Sequence, residues 1–359
     1  MSKITGIIAE FNPFHNGHKR LLDAADGTKI VVMSGNWMQR GEPAFVDKWI
    51  RAEMALANGA DLVVELPLMS AVQGADFFAA GAMKILSDLG IDELLFGSEN
   101  ECDYQKISEI YTEKSEEMET YLKNLPSNLS YPVRAQMMWE KFAAVKFDGK
   151  TPNHVLGLAY AKAANGIKLR AITRNTAYNS AELIGNFASG TAIRENLAKS
   201  QNFVPENCWQ ILQNAPKTNW SDFWELLKYK ITLGNLTAIY QVNDELSNRI
   251  SKAIKISENL TELIDNVHTK RYTKGFVRRL MVYILLDIPR EFQLPEKIHV
   301  LGFSEKGQEI LAQNRDKIIT KIGQNPWDNL TQKADKIYQL SNLTEQNYGR
   351  KPIMKKNAD

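Results

Sequence analysis

Ile4-Thr5-Gly6-Ile7-Ile8-Ala9-Glu10-Phe11-Asn12-Pro13-Phe14-His15-Asn16-Gly17-His18 is the stretch on which the reading of this chain turns. Ile4, Ile7, Ile8 and Ala9 predict a buried first strand. Glu10 to Phe14 form the loop after it, with Asn12-Pro13 as a turn signal. Residues 17–25 then read as a helix. Two imidazoles three residues apart thus fall where a strand hands over to a helix N-terminus. That end of a helix offers backbone N–H groups and a positive dipole to an anion. Gly17 lets phosphate approach the backbone, and His15 and His18 can donate to an α-phosphate as charge builds on it. Two plainer readings stand beside this one: a pair of satisfied surface histidines, or a zinc site. The catalytic zinc pattern H-E-x-x-H has a four-residue spacing and a glutamate that this stretch lacks. The chain has only five histidines, and two of them lie here.

Outward from this point, strand-like and helix-like segments alternate. Residues 29–33, 62–65, 93–96 and 168–172 read as strands; residues 48–58, 76–89 and 156–165 read as helices. The alternation predicts an α/β fold with a parallel sheet and covering helices. Right-handed crossovers then bring residues 10–15, 34–47, 97–100 and the chain from Arg174 onward to one edge, where such sheets bind ligands. From about residue 196 the pattern turns mainly helical, as in residues 220–233 and 236–256. The expected boundary falls at 195–205. Residues 301–311 read as a small strand-turn-helix return, and the polar tail beyond about residue 347 as mobile.

Composition sets bounds. The 359 residues carry 44 Lys and Arg against 42 Asp and Glu. Residues 1–200 hold 21 basic against 24 acidic side chains, and residues 201–359 hold 23 against 18. Any nucleic-acid surface must therefore be a local patch. The best candidate is Lys270, Arg271, Lys274, Arg278 and Arg279, inside the acid-free stretch 266–286. If that stretch is helical, Arg271, Lys274 and Arg278 share a face beside the apolar stripe of Val277, Leu280, Met281 and Ile284, and Tyr272 supplies a stacking group. Cys102 and Cys208 are too few for a zinc site or a disulfide framework. No apolar run reaches membrane-spanning length, and no signal peptide precedes the first strand. The expectation is a soluble, cytoplasmic protein with no membrane association, no resident metal and no stable protein partner.

His15-Asn16-Gly17-His18 after a first strand resembles the signature of the HIGH nucleotidyltransferase superfamily. The longer string from Ile8 to His18 is similar, more specifically, to the tRNA(Met) cytidine acetate ligase family. The likeness continues through residues 34–67 (SGNWMQRGEPAFVDKWIRAEMALANGADLVVELP), 96–100 (FGSEN), Pro152-Asn153, 189–194 (SGTAIR) and 270–273 (KRYT), over about positions 4 to 310. It implies a Rossmann-like parallel sheet in a nucleotidyltransferase, ATP-binding domain (residues 1–200). A mainly helical tRNA-binding domain with a polar C-terminal tail (residues 201–359) follows. It also implies ATP as co-substrate with Mg²⁺ bridging its phosphates, acetate as the acid, and elongator tRNA(Met) as acceptor at its wobble cytidine. Catalysis would rest on His15 and His18. Nucleotide contacts would come from Ile7, Ile8, Ala9, Glu10, Phe11, Asn12, Pro13, Phe14, His15, Asn16, Gly17, His18, Lys19, Arg20, Gly97, Asn153, Arg174, Ser189 and Thr191, with Arg194 nearby. Asn153 also suits a helix N-cap, as do Ser189 and Thr191. Residues 39–43 (QRGEP) lie in a long loop suited to a lid or acceptor pocket. Residues 175–180 depart from the family pattern. A nucleotidyltransferase for a small phosphorylated metabolite and an ATP-sensing tRNA-binding module are the competing functions.

Overall fold

A computed structural model describes residues 3–146, 151–173, 187–323 and 327–355. Its first part runs β1 (Ile4–Ala9), α1 (Asn16–Asp23), β2 (Thr28–Ser34), α2 (Lys48–Ala57), β3 (Leu62–Leu66), α3 (Leu68–Ala71), α4 (Ala75–Asp88) and β4 (Glu93–Ser98). There follow α5 (Tyr104–Asn124), α6 (Tyr131–Ala143), α7 (Pro152–Ala163), β5 (Lys168–Thr173) and α8 (Gly190–Glu195). The helical part comprises α9 (Glu206–Asn214), α10 (Trp224–Leu233), α11 (Asp244–Ala253), α12 (Leu260–Val267) and α13 (Lys274–Leu285). The chain ends with β6 (Ile298–Phe303), α14 (Glu305–Gln313), β7 (Ile318–Ile319), α15 (Asn329–Asn342) and β8 (Ile353–Met354).

The strands form one sheet in the order β5-β4-β1-β2-β3-β6-β7, with β8 also paired to β6. β1 to β5 are mutually parallel. β6 joins antiparallel to β3. The strands are apolar almost throughout because helices cover both faces. Alternate residues go to opposite sides. Ile7, Val31, Val63 and Leu95 pack with α1, α2 and α9, while Ile8, Val32, Val64 and Leu94 pack with α4, α5 and α7. A further apolar cluster is built mainly from α10 to α13 and takes in Trp37 and Met38 of the loop after β2.

The α/β sheet and the helical region after it stand as expected, and the return near residue 301 is β6 and α14. Three local expectations change. The sheet and its core cross residue 200: Cys208, Trp209 and Leu212 of α9 pack against the first half, and β6 extends the sheet. The tail does not simply trail away, since Gly302 and Phe303 pair with Ile353 and Met354. Residues 266–286 are not one helix. α13 begins at Lys274, where Thr273 caps it by accepting from the Phe276 N–H at 3.3 Å. Arg271 therefore lies in the turn before the helix, off the face shared by Lys274 and Arg278.

Candidate active site

β1 ends at the middle of the sheet, where neighbouring crossovers run to opposite faces and a crevice opens. The loop from Glu10 to Phe14 turns there through Phe11, at φ +48°, and a cis Asn12–Pro13 bond. Phe11 and Phe14 are buried and press on the ring of His18, with centroids 4.9 and 5.7 Å away. His15 is itself the N-cap of α1. Its Nδ1 accepts from the Gly17 N–H at 3.1 Å, and the Nδ1 of His18 accepts from the His15 N–H at 3.3 Å. This is a reciprocal capping box made of two imidazoles. The rings stack with centroids 3.7 Å apart. An imidazole that accepts at Nδ1 carries its proton on Nε2. The cap thus fixes both rings as Nε2–H donors. Gly17 has a second reason to be glycine: a Cβ there would lie 2.9 Å from Cε1 of His15.

Three cavities meet at this pair. One of about 270 Å³ is lined by Ile8, Ala9, Glu10, His18, Gln39, Gly97 and Asn153, among others. A small one of about 50 Å³ touches His15, His18, Arg20, Gly97 and Phe187. A polar one of about 90 Å³ is enclosed by Glu10, Asn12, His15, His18, Arg40, Glu42, Ser189, Thr191 and Arg194. This last is a polyphosphate-sized set of donors. Ser189 caps α8, accepting from the Ala192 N–H at 3.0 Å. Arg194 donates to the Asn12 carbonyl at 2.7 Å and to Thr191 Oγ1 at 3.2 Å. Thr191 is inside the helix and is not its cap.

The other expected nucleotide residues divide by position. Gly97 is the penultimate residue of β4 and borders two of the cavities. Ile7 and Phe14 are fully buried in the core, so their side chains do not line the crevice. Pro13 is buried within the loop. Asn16 donates to the Asn202 carbonyl at 2.9 Å. Lys19 turns to the exposed side and pairs with Asp23 at 2.9 Å. Arg20 lies over the Phe187 ring. Asn153 is not the cap of α7, which starts one residue earlier. Its Nδ2 donates to Glu99 Oε1 at 2.6 Å, which leaves its carbonyl as the acceptor. Arg174 lies outside the described residues, as do residues 175–180.

Two residues that hold this crevice were not among the expected site residues, although they lie in the blocks 34–67 and 96–100. Glu99 receives the Asn153 side chain and the His154 N–H, acting as a carboxylate cap for α7. Arg51, fully buried on α2, donates to the carbonyls of Glu10 at 2.7 Å, Ser34 at 2.9 Å and Val46 at 3.0 Å, and also to that of Gly35. It ties the ends of β1 and β2 together. The available signal was an arginine on the apolar side of the 49–57 segment, where Glu53 is the other charged residue. Glu10 accepts from the Gln39 N–H at 2.6 Å, and burial raises its carboxyl above the ordinary range.

The HIGH nucleotidyl transferase family model matches residues 2–351. A tRNA(Met) cytidine acetate ligase of Lactococcus lactis subsp. cremoris is 58% identical over 99% of this chain and 100% of its own length. The chain belongs to the tRNA(Met) cytidine acetate ligase family. The Streptococcus sanguinis member is 56% identical over 98% of the chain and 99% of its own. A crystal structure of Thermotoga maritima TmcAL bound with alpha-thio ATP superposes with a TM-score of 0.83 at 28% identity, over 98% of this chain and 99% of that one.

The basic patch of this family member is less uniform than its sequence suggests. Lys270, Arg271 and Lys274 are exposed, with Lys274 paired to Asp265 at 2.6 Å and Arg271 to Glu245 at 3.8 Å. Arg278 turns instead to Glu42 at 3.0 Å, and Glu42 also meets Arg194 at 3.5 Å. The 39–43 loop is thus strapped between the phosphate-sized cavity and α13. Gly41 makes this possible: at φ +76°, a Cβ would stand 2.7 Å from the Arg279 nitrogen. Tyr272 is buried, with its hydroxyl on Glu245 at 3.0 Å, and is not an open stacking platform. Among the described residues no helix is long and apolar enough to cross a membrane.

Proposed function

We propose that this protein activates acetate with ATP and transfers the acetyl group to N4 of the wobble cytidine of elongator tRNA(Met). The observation that carries this reading is the stacked His15–His18 capping box, with two Nε2–H donors beside the Ser189–Thr191–Arg194 cavity. The triphosphate lies across that cavity, and the nucleoside lies along Gly97 and Asn153. Mg²⁺ is held by the phosphate oxygens of ATP itself, which suits an ion that keeps much of its own water. An acetate oxygen attacks the α-phosphorus, the bond to the bridging oxygen breaks, and pyrophosphate leaves. His15 and His18 donate to the α-phosphate as its charge rises in the transition state. Cytidine N4 then attacks the acetyl carbonyl, loses one proton, and AMP leaves. A cytidine amine is a weak nucleophile, so the carboxylate must be activated first. The tRNA contact is Lys270, Arg271 and Lys274, with Arg278 and Arg279 behind them. The boundary near residue 200 is a division of roles, nucleotide chemistry before it and contact with the RNA backbone after it. A tRNA acceptor places the reaction in the cytoplasm.

The name of the Lactococcus relative and the ATP analogue in the Thermotoga structure support this assignment. The decisive test is mass spectrometry of tRNA nucleosides after incubation with ATP, Mg²⁺ and labelled acetate. Labelled N4-acetylcytidine, with AMP and pyrophosphate in equal amounts, is the expected result. Full activity with acetyl-CoA in ATP-free buffer would defeat the proposal.

A further inference from the structure

A second large cavity, of about 530 Å³, lies between α4, α6, α7 and the N-terminal turn of α13. It shares Gln39, Ala75 and Val155 as walls with the crevice beside His18. Cavities of about 300–1,000 Å³ hold small ligands. Its lining is mixed in a specific way. Trp139, buried, and Leu158 give apolar walls. Arg134 lies over the Tyr131 ring, and its Nε is buried with no hydrogen-bond partner among the described residues. The Asp76 carboxylate, only 26% exposed, receives the Tyr131 hydroxyl and the Lys162 ammonium at 3.0 Å. Arg271 and Arg279 stand on the α13 side. A half-buried acceptor, a buried unmatched donor atom and a flat apolar wall are what the edge and face of a nucleobase require. Cationic side chains at the RNA side are what its phosphates require.

We propose that this cavity receives the target cytidine after it leaves the loop stack. Asp76 accepts an N4–H, Arg134 donates to the O2 side, and Trp139 covers the ring. This assignment rests on the tRNA-cytidine reading above and deepens it by naming the base pocket. An enzyme that works on a base must unstack and hold it, and a carboxylate accepting from N4 is the pairing that selects cytosine. Uracil would turn a carbonyl oxygen toward Asp76, two acceptors face to face. The shared lining at Gln39, Ala75 and Val155 sets this cavity directly beside the crevice where the acetyl group is activated. Asp76 and Arg134 are positioning residues for the base and take no part in breaking the phosphate bond.

The test is equilibrium binding of an anticodon stem-loop RNA with C at the wobble position against the same RNA with U. Fluorescence anisotropy is read with the intact protein and ATP present. The wild-type protein should prefer C by about tenfold or more, as expected for one good base-edge contact. Arg134→Leu should weaken both RNAs by about tenfold, because O2 is common to C and U, while its ATP affinity stays at the wild-type value. Asp76→Asn should lose most of the preference for C. Because Asp76 also meets Lys162, the arginine variant guards against a folding defect being taken for lost recognition. If Arg134→Leu binds both RNAs as the wild type does, or Asp76→Asn binds ATP and still prefers C by the wild-type ratio, the pocket is elsewhere. If the wild-type protein makes no acetylcytidine at all, the parent reading fails instead, and the two failures are told apart by the nucleoside assay.

Discussion

At the scale of single residues, the histidines do two jobs that can be separated. As a cap, His15 contributes roughly 1 kcal/mol to α1; as donors, His15 and His18 should each be worth about 10²-fold in rate. His15→Asn should therefore keep the cap and the thermal midpoint but lose turnover, while His15→Ala loses both. His18→Ala should lose turnover and also lower the midpoint, since its Nδ1 is the other half of the box and its ring packs on Phe11 and Phe14. Paired thermal melts and acetylation rates check this, and an active His15→Asn protein would remove the histidine from the chemistry. Sequence spacing exposed the pair because it is local. It could not expose the tautomer, which depends on which backbone N–H groups each Nδ1 meets after folding.

At the scale of elements, α2 and α13 each act on the crevice through one face. Arg51 on α2 serves four backbone carbonyls, so Arg51→Met leaves buried acceptors unmatched at about 1–3 kcal/mol each. The variant should lose at least about 2 kcal/mol in urea unfolding, and its KM for ATP should rise, because the Glu10 and Ser34 loop ends are freed together. At the start of α13 and in the turn before it, the triple neutralisation Lys270→Gln, Arg271→Gln and Lys274→Gln should weaken tRNA binding and reduce the slope of log affinity against log salt by about 2–3. ATP binding should be unmoved. An unchanged salt slope would place the RNA surface elsewhere. Arg278 is kept out of this set because its bond to Glu42 also holds the 39–43 loop. The helical pattern of 274–285 was legible from its apolar stripe. The Glu42 partner was not, being 236 residues away in sequence.

At the scale of the whole molecule, a buried charge cluster ties the end of the chain to the sheet. Lys48 lies 2.9 Å from Glu65 on β3 and 2.6 Å from Asp335 on α15, and Glu65 meets His299 of β6 at 2.7 Å. All four are buried. Lys48→Met should cost about 3–5 kcal/mol, since it leaves uncompensated buried charge. The cluster also sets a pH response. Burial lowers the His299 pKa below its ordinary 6.5, so stability from this group is full above that pH and falls as the unfolded chain takes the proton. Burial raises Asp335 to about 7, so the folded chain holds a proton there that the unfolded chain releases above about 3.8. Below pH 6.5 the two oppose each other, so that acid removes less stability than His299 alone would lose. In Asp335→Asn the opposition is gone, and stability should fall with acid by up to about 1.4 kcal/mol per pH unit below 6.5. A flat profile in that variant, read from urea unfolding across pH, would exclude His299 as its source.

The sequence by itself determined what is encoded over short spans. Strand period, an Asn-Pro turn and an HxGH helix start lie within fifteen residues, and their physics is complete there. The same holds for the parallel sheet, because each strand and helix announces its own burial. The tertiary structure alone decided what joins distant segments. Examples are β6 inserting antiparallel beside β3, Lys48 meeting Asp335 and the Glu99 carboxylate capping α7. The walls of the second cavity likewise come from four separate elements. Such contacts depend on where chains cross after collapse, and no periodicity records a crossing.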